Sequence, residues 1–286
     1  MNNIIYNKKE ADSLTESEKT EVWRNDAEIL KSNLILRNNT NIHTLVDIGC
    51  AWGQTLLKLK GKIPNLIGVD ESVDRMGNLI NDIDIHTVNS KSSSIDVASN
   101  SADVVLMSHI FHEIKLFERP IIYQRTIREI KRILKSNGKL VVIDHRDPGP
   151  GSVIVDLKSN ICKFEYFVEK FKYEKIEYNR KGTVIEMSKR NCHDFVTKIW
   201  CLKTDAEDLE MNETHTIMNS KLFSNDIEEF QFIPKINIEF NQITNLMNYY
   251  GINLISGNSW GRQLYIQSEY KSIVHNLNNE ILNVAT

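Results

Sequence analysis

The sequence has no apolar run approaching the roughly 20 residues that a membrane helix needs, so it offers no spanning segment. Its first ten residues, Met1 to Glu10, lack the charged-then-apolar layout of a secretory signal, and a cytoplasmic protein is expected. The four cysteines, Cys50, Cys162, Cys192 and Cys201, are too few and too scattered for a disulfide framework. Cys192, His193, Cys201 and His215 can be drawn together as zinc ligands. However, no CxxC or HxxxH pair fixes two ligands on one turn, so buried or incidental residues and no metal are expected. Charge of one sign is also lacking. The 35 basic and 38 acidic side chains leave a net −3, which excludes a general pull toward nucleic acid or anionic membrane and leaves room only for a local basic patch. No internal repeat and no long low-complexity tract occurs.

What is present is an ordinary soluble composition, 41% apolar and 26% charged, over 286 residues, enough for one substantial core with an added lobe. From about Thr15 to Arg37 the chain reads as one or two helices, with Val22, Trp23, Ala27, Leu30 and Leu34 near helical spacing. A strand–helix alternation follows. Strands are predicted at Thr44–Ile48, Leu66–Asp70, Asp84–Val88, Ala102–Met107 and Lys139–Asp144. Helices are predicted at Gln54–Lys60, after Asp70 through about Ile80, and at Tyr123–Leu134, the last stopped by a left-handed Gly138. Continuous apolar strands between helices imply a parallel, doubly wound sheet covered on both faces. The rhythm breaks at Asp147-Pro148-Gly149-Pro150-Gly151. A mainly helical lobe is expected at 151–225, and strands 251–255 and 263–267 are expected to pair as a hairpin. The expected layout is N-terminal helices at 1–40, a Rossmann-like core at 41–150, the lobe, and C-terminal strands at 226–286 that complete a seven-stranded, mostly parallel sheet.

The first strand runs into Gly49-Cys50-Ala51-Trp52-Gly53 at the carboxyl edge, where open α/β sheets bind ligands. Asp70 ends the next strand at the offset where an acidic group accepts ribose hydroxyls. The order Asp47, Gly49, Ala51, Gly53 fits the dinucleotide fingerprint G-x-G-x-x-G poorly, which weakens a dehydrogenase reading. These segments resemble the class I S-adenosylmethionine-dependent methyltransferases from about Asn41 to Asp144. Asp47, Gly49 and Gly53 match that family's first motif, with Ala51 where the family usually has its middle glycine. Asp70 matches the ribose-binding acid, Val88-Asn89-Ser90 the adenine side, and Ser101 to His109 the fourth-strand motif. The stretch from His109 to Glu113 resembles the H-x-x-H-E of small-molecule methyltransferases. The resemblance implies S-adenosylmethionine as cofactor, held by Asp47, Gly49, Cys50, Ala51, Gly53, Asp70, Glu71, Asn89, Ser90 and Ser108.

Methyl transfer is an in-line displacement in which sulfur leaves as a neutral thioether. The protein must therefore align an acceptor, exclude water and, for a hydroxyl, supply a base. Candidates for that work are His109, Asp144 and His145, which follow the fourth and fifth strands. Candidates to hold the acceptor are His112, Arg146, Glu210, Glu213 and His215; Arg146 would suit a carboxylate or phosphate. The acidic balance and the lobe favour a metal-independent enzyme acting on a small or medium-sized metabolite. An RNA methyltransferase stays open through Lys158, Lys163, Lys170, Lys172, Lys175, Arg180 and Lys181, although Glu165, Glu169, Glu174 and Glu177 dilute that stretch. A non-catalytic cofactor-binding partner subunit is the third alternative. A homodimer is compatible with the sequence, which does not set the oligomeric state.

Overall fold

Strands β1 (Thr44–Ile48), β2 (Asn65–Asp70), β3 (Ile85–Asn89), β4 (Ala102–Ser108) and β5 (Leu134–His145) form the parallel part of a seven-stranded sheet. Two antiparallel strands, β9 (Phe232–Gln242) and β11 (Gly261–Tyr270), complete it in the order β3-β2-β1-β4-β5-β11-β9. The computed structural model describes residues 16–116, 119–216, 218 and 231–270. The expected elements at 1–15, 226–230 and 271–286, and the side chains of Val22 and Trp23, lie outside them.

Successive strand residues point to opposite faces, and both faces are covered. From β4, Val105 and Met107 join Ile127, Ile130 and Ile133 of the helix Pro120–Ile133, whereas Val104 and Leu106 join Ile35, Leu56 and Leu59 on the other side. Each such buried isoleucine or leucine contributes about 1.5–3 kcal/mol relative to exposure. The helices here are α1 (Glu16–Asn38), α2 (Gln54–Leu59), α3 (Val73–Met76), α4 (Phe111–Leu116) and α5 (Pro120–Ile133). The expected first helix is thus a single one. α5 ends at Ile133, and the left-handed residue beyond it is Asn137 (φ 62°), not Gly138 as predicted; asparagine also tolerates that region.

The lobe departs from the mainly helical expectation. It holds helices α6 (Ile161–Lys170), α7 (Lys189–Lys198), α8 (Glu207–Glu210) and α9 (Ile243–Tyr249). It also holds a four-stranded antiparallel sheet, ordered β10-β6-β8-β7, from β6 (Ser152–Asp156), β7 (Tyr178–Lys181), β8 (Val184–Ser188) and β10 (Asn253–Ser256). β10 pairs with β6, so the predicted hairpin of 251–255 with 263–267 does not form, and the antiparallel neighbours of β11 are β5 and β9. Trp260 is buried in the lobe core with Phe164, Phe195 and Ile252, which carries the chain through the lobe between β9 and β11. Cys192 and Cys201 are buried there as well, packed in the lobe core.

Candidate active site

Register decides where the site lies. Ile48 of β1 aligns with Val69 of β2 and Met107 of β4, so Gly49, Asp70 and Ser108 emerge together at the carboxyl edge. The amides of Gly49 and Cys50 both donate to the Val69 carbonyl, at 2.8 and 3.1 Å. Ala51 (φ 44°) then donates its N–H to Asp70 Oδ2 at 2.9 Å, and Ser72 donates to Asp70 Oδ1 at 2.9 Å. Asn89 donates its side-chain amide to the carbonyls of Asp70 and Glu71, and the Ser90 amide donates to Asp70 O. Gly49, Cys50, Ala51, Gly53, Asp70, Glu71, Asn89 and Ser90 therefore form one hydrogen-bonded rim, and Asp47 and Ser108 lie beside it. Cys50 takes part through its backbone; its thiol is packed in the core, and burial with Asp47 and Asp70 nearby pushes it far up. Trp52, within the turn, is 62% exposed.

Both glycines are required by their surroundings. Gly49 (φ 73°) has Ile110 so near that a Cβ would come within 2.7 Å of it. At Gly53 (φ 64°) a Cβ would meet Leu79 at 2.5 Å. Behind the turn, Asp47 is buried and its Oδ1 has no hydrogen-bond partner among the described residues. Burial, reinforced by Glu28, raises Asp47 to about 8, against the pull of Lys31. Glu28 on α1 accepts from Lys31 Nζ and from Thr55 Oγ1, each at 2.6 Å. Sequence reasoning gave α1 only a covering role. The signal available was this acid–base pair three residues apart on an otherwise apolar helix face.

Glu28 and Lys31 line one end of a cavity of about 250 Å³. It continues past His109, His112 and His145 to Glu210, Glu213 and His215 of the lobe, and Tyr249, Tyr250, Arg262 and Gln263 also line it. Five of the chain's eight histidines cluster here: the His145 and His215 rings stack at 3.9 Å, and His109, His112 and His193 lie around His145 at 4.6, 6.1 and 5.9 Å. Burial, with like charges nearby, holds His109, His145 and His193 well below the usual imidazole range.

Asp144 organises this cluster and does not open onto the cavity. Fully buried, its carboxylate accepts from the amides of His112 (3.0 Å) and His145 (2.7 Å) and from His112 Nδ1 (2.7 Å). Burial opposes protonation of His112, but the Asp144 carboxylate outweighs it and raises the imidazole to about 9. His109 adopts φ 56°, which turns its ring so that Nε2 accepts from the Gln263 side-chain amide. On the lobe side, Asp194 takes the His215 amide (2.6 Å) and the Thr214 hydroxyl (2.7 Å), which fixes that loop. α7 is capped by Ser188 Oγ, which accepts from Asn191 N. Arg146 pairs with Glu239 at 2.6 Å and lies outside the cavity lining. Among the described residues, His112, Glu213 and His215 have potential metal-ligand atoms all within 4.8 Å of one another.

Comparison with known proteins accords with this geometry. Residues 46–142 match the family model described as a methyltransferase domain. No curated protein matches the sequence. Among solved structures, a candidate methyltransferase from Bacillus halodurans C-125 is similar at TM-score 0.50 and 12% identity, covering 86% of this chain and 100% of the other. A SAM-dependent methyltransferase from Aquifex aeolicus superposes at TM-score 0.47 and 13% identity, with 90% and 99% of the two chains covered. The Burkholderia thailandensis 1,6-didemethyltoxoflavin-N1-methyltransferase, bound to 1,6-didemethyltoxoflavin and S-adenosylhomocysteine, gives 0.49 and 12%, with 90% and 84% covered. At these identities the solved structures speak to fold. Residues 46–142, on the sheet that carries the glycine turn and Asp70, thus form a methyltransferase domain.

Proposed function

We propose that the chain methylates a small molecule held in the cavity between the glycine turn and the lobe. The observation that carries this reading is the continuity of that cavity from Glu28 and Lys31 beside the turn to Glu213 and His215 in the lobe. Its volume of about 250 Å³ suits a small metabolite. S-adenosylmethionine supplies an electrophilic methyl carbon on a sulfonium. Asp70, pinned by two amides, keeps lone pairs for a pair of ribose hydroxyls. The unpartnered Oδ1 of Asp47 suits a ligand ammonium, and the exposed backbone from Gly49 to Gly53 allows close approach. Asn89 and Ser90, tied to Asp70 O, shape the adenine side.

On the acceptor side, His145 is the group placed to take a proton: it lines the cavity and is held neutral by burial. His109, with Nε2 already accepting from Gln263, orients the acceptor, and Asp144 positions both His112 and His145. The lobe excludes water. The test is transfer of labelled methyl from S-adenosylmethionine into a fractionated cell extract. Label in a low-mass, nuclease-insensitive product is expected; label confined to RNA would overturn the small-molecule reading.

A further inference from the structure

We infer that His112, His215 and Glu213, with Glu210 beside them, form a binding site for one divalent transition-metal ion. Its part in catalysis rests on the reading of this cavity as the acceptor pocket; the site itself does not. No residue spacing points to it, because the residues come from the start of α4 and from the loop after α8.

Proton accounting on the two imidazoles is the first argument. Asp144 is a carboxylate acceptor at 2.7 Å, so His112 carries its proton on Nδ1. His215 Nδ1 lies 2.9 Å from Thr197 Oγ1, whose own proton goes to the His193 carbonyl at 2.7 Å, so here too Nδ1 is the donor. Each imidazole is therefore tied through Nδ1 and keeps Nε2 for the site, where a bound metal would displace any proton. A metal-bound histidine is held in this way, by a second partner on its other nitrogen that fixes tautomer and orientation.

Charge is the second argument. His215 Nε2 lies 3.1 Å from Glu210 Oε2 and 3.5 Å from Glu213 Oε1, so one imidazole edge faces two carboxylates out of water. Glu213 and His215 are buried, and the fully buried Lys198 Nζ is shared between Glu210 at 3.2 Å and Glu213 at 3.9 Å. One lysine against two carboxylates leaves a charge that a cation between these atoms would balance.

The spacing then selects the cation. Ligand atoms bound at 2.0–2.1 Å around a tetrahedral ion lie ~3.3 Å apart, the separation already present between His215 and the two glutamates. Two imidazoles with carboxylates favour zinc, cobalt, nickel or iron over magnesium or calcium. The cavity side of the site leaves a position for an acceptor oxygen. An acceptor hydroxyl there would lose its proton to His145 or water at lowered pKa. The oxygen would then form a bond to the methyl carbon as the carbon–sulfur bond breaks, its electron pair staying on sulfur.

The test is titration of chelator-treated full-length protein with Co²⁺, read by visible absorption, and with Zn²⁺, read by calorimetry. One ion per chain is expected. Glu213→Gln and His215→Ala should each weaken it at least tenfold with unchanged circular dichroism, Asp144→Asn should weaken it ~10–100-fold, and the exposed His86→Ala should leave it unchanged. No stoichiometric binding, or binding indifferent to Glu213→Gln and His215→Ala, overturns the site. S-adenosylmethionine is titrated into the same samples. If it binds and the metal does not, the metal site alone falls. If the metal binds and it does not, the methyl-transfer reading falls and the metal site stands.

Discussion

Gly53→Ala offers a quantitative test of why the cofactor turn needs glycine. The residue sits at φ 64°, where an L side chain costs about 1–2 kcal/mol. Alanine also restricts the unfolded chain, which returns roughly 0.4–1 kcal/mol. The new methyl would stand 2.5 and 2.6 Å from the two Leu79 methyls and 3.1 Å from its Cγ. Leu79 is itself buried against Met76 and Leu56, so it cannot swing away freely, and such overpacking costs about 1–3 kcal/mol. The net expectation is a loss of about 2–4 kcal/mol, measured by urea denaturation. A double-mutant cycle separates the two parts. In a Leu79→Ala background the clash is gone, and Gly53→Ala should cost only about 1 kcal/mol, the backbone part. Equal costs in both backgrounds would refute the steric argument, and no cost in either would refute the whole account of the turn.

Other consequences are as direct. On the proposed ribose role of Asp70, Asp70→Ala would remove two charge-assisted hydrogen bonds at about 1.5 kcal/mol each, so S-adenosylmethionine affinity should fall ~150-fold by calorimetry. Unchanged affinity would refute the ribose assignment. Because burial raises Asp47 from 3.8 to about 8, the folded chain binds more protons than the unfolded chain between those values, and stability falls as pH rises through that window. Asp47→Asn should abolish that part of the slope in urea midpoints compared near pH 5 and pH 8, and a retained slope would contradict the assignment. Ile130→Ala empties a fully buried place between α5 and the sheet and should cost about 2–5 kcal/mol, again by urea denaturation; a loss under about 1 kcal/mol would mean that this packing is not tight.

The parallel sheet was legible because its strands are buried on both faces and read as apolar runs, as at Leu140–Ile143. The lobe sheet was not. β7, Tyr-Asn-Arg-Lys, is exposed at every position, and an edge strand with no buried face leaves no hydrophobic period to read. β10 was visible as a strand but was given the wrong neighbour. Adjacency favours a hairpin, whereas burial of Trp260 and Ile252 in the lobe core takes the chain to β6. In the site, the glycine turn and Asp70 were legible because local geometry ties them to consecutive strands. The histidine cluster was only partly so. His109, His112, His145 and His215 were singled out one at a time, but their convergence is made by tertiary packing across α4, β5 and the loop after α8, and no spacing in the chain encodes it. Asp144 drew notice as a reactive group, and its three accepted hydrogen bonds make it a support.

The central claim is that the turn from Gly49 to Gly53, with Asp70, serves methyl transfer and not nicotinamide chemistry. Calorimetric titration of the wild-type chain with S-adenosylmethionine, S-adenosylhomocysteine and NAD tests it most directly. The account predicts that the first two bind one per chain and compete with each other, while NAD gives no heat of binding. Binding of NAD alone would contradict it.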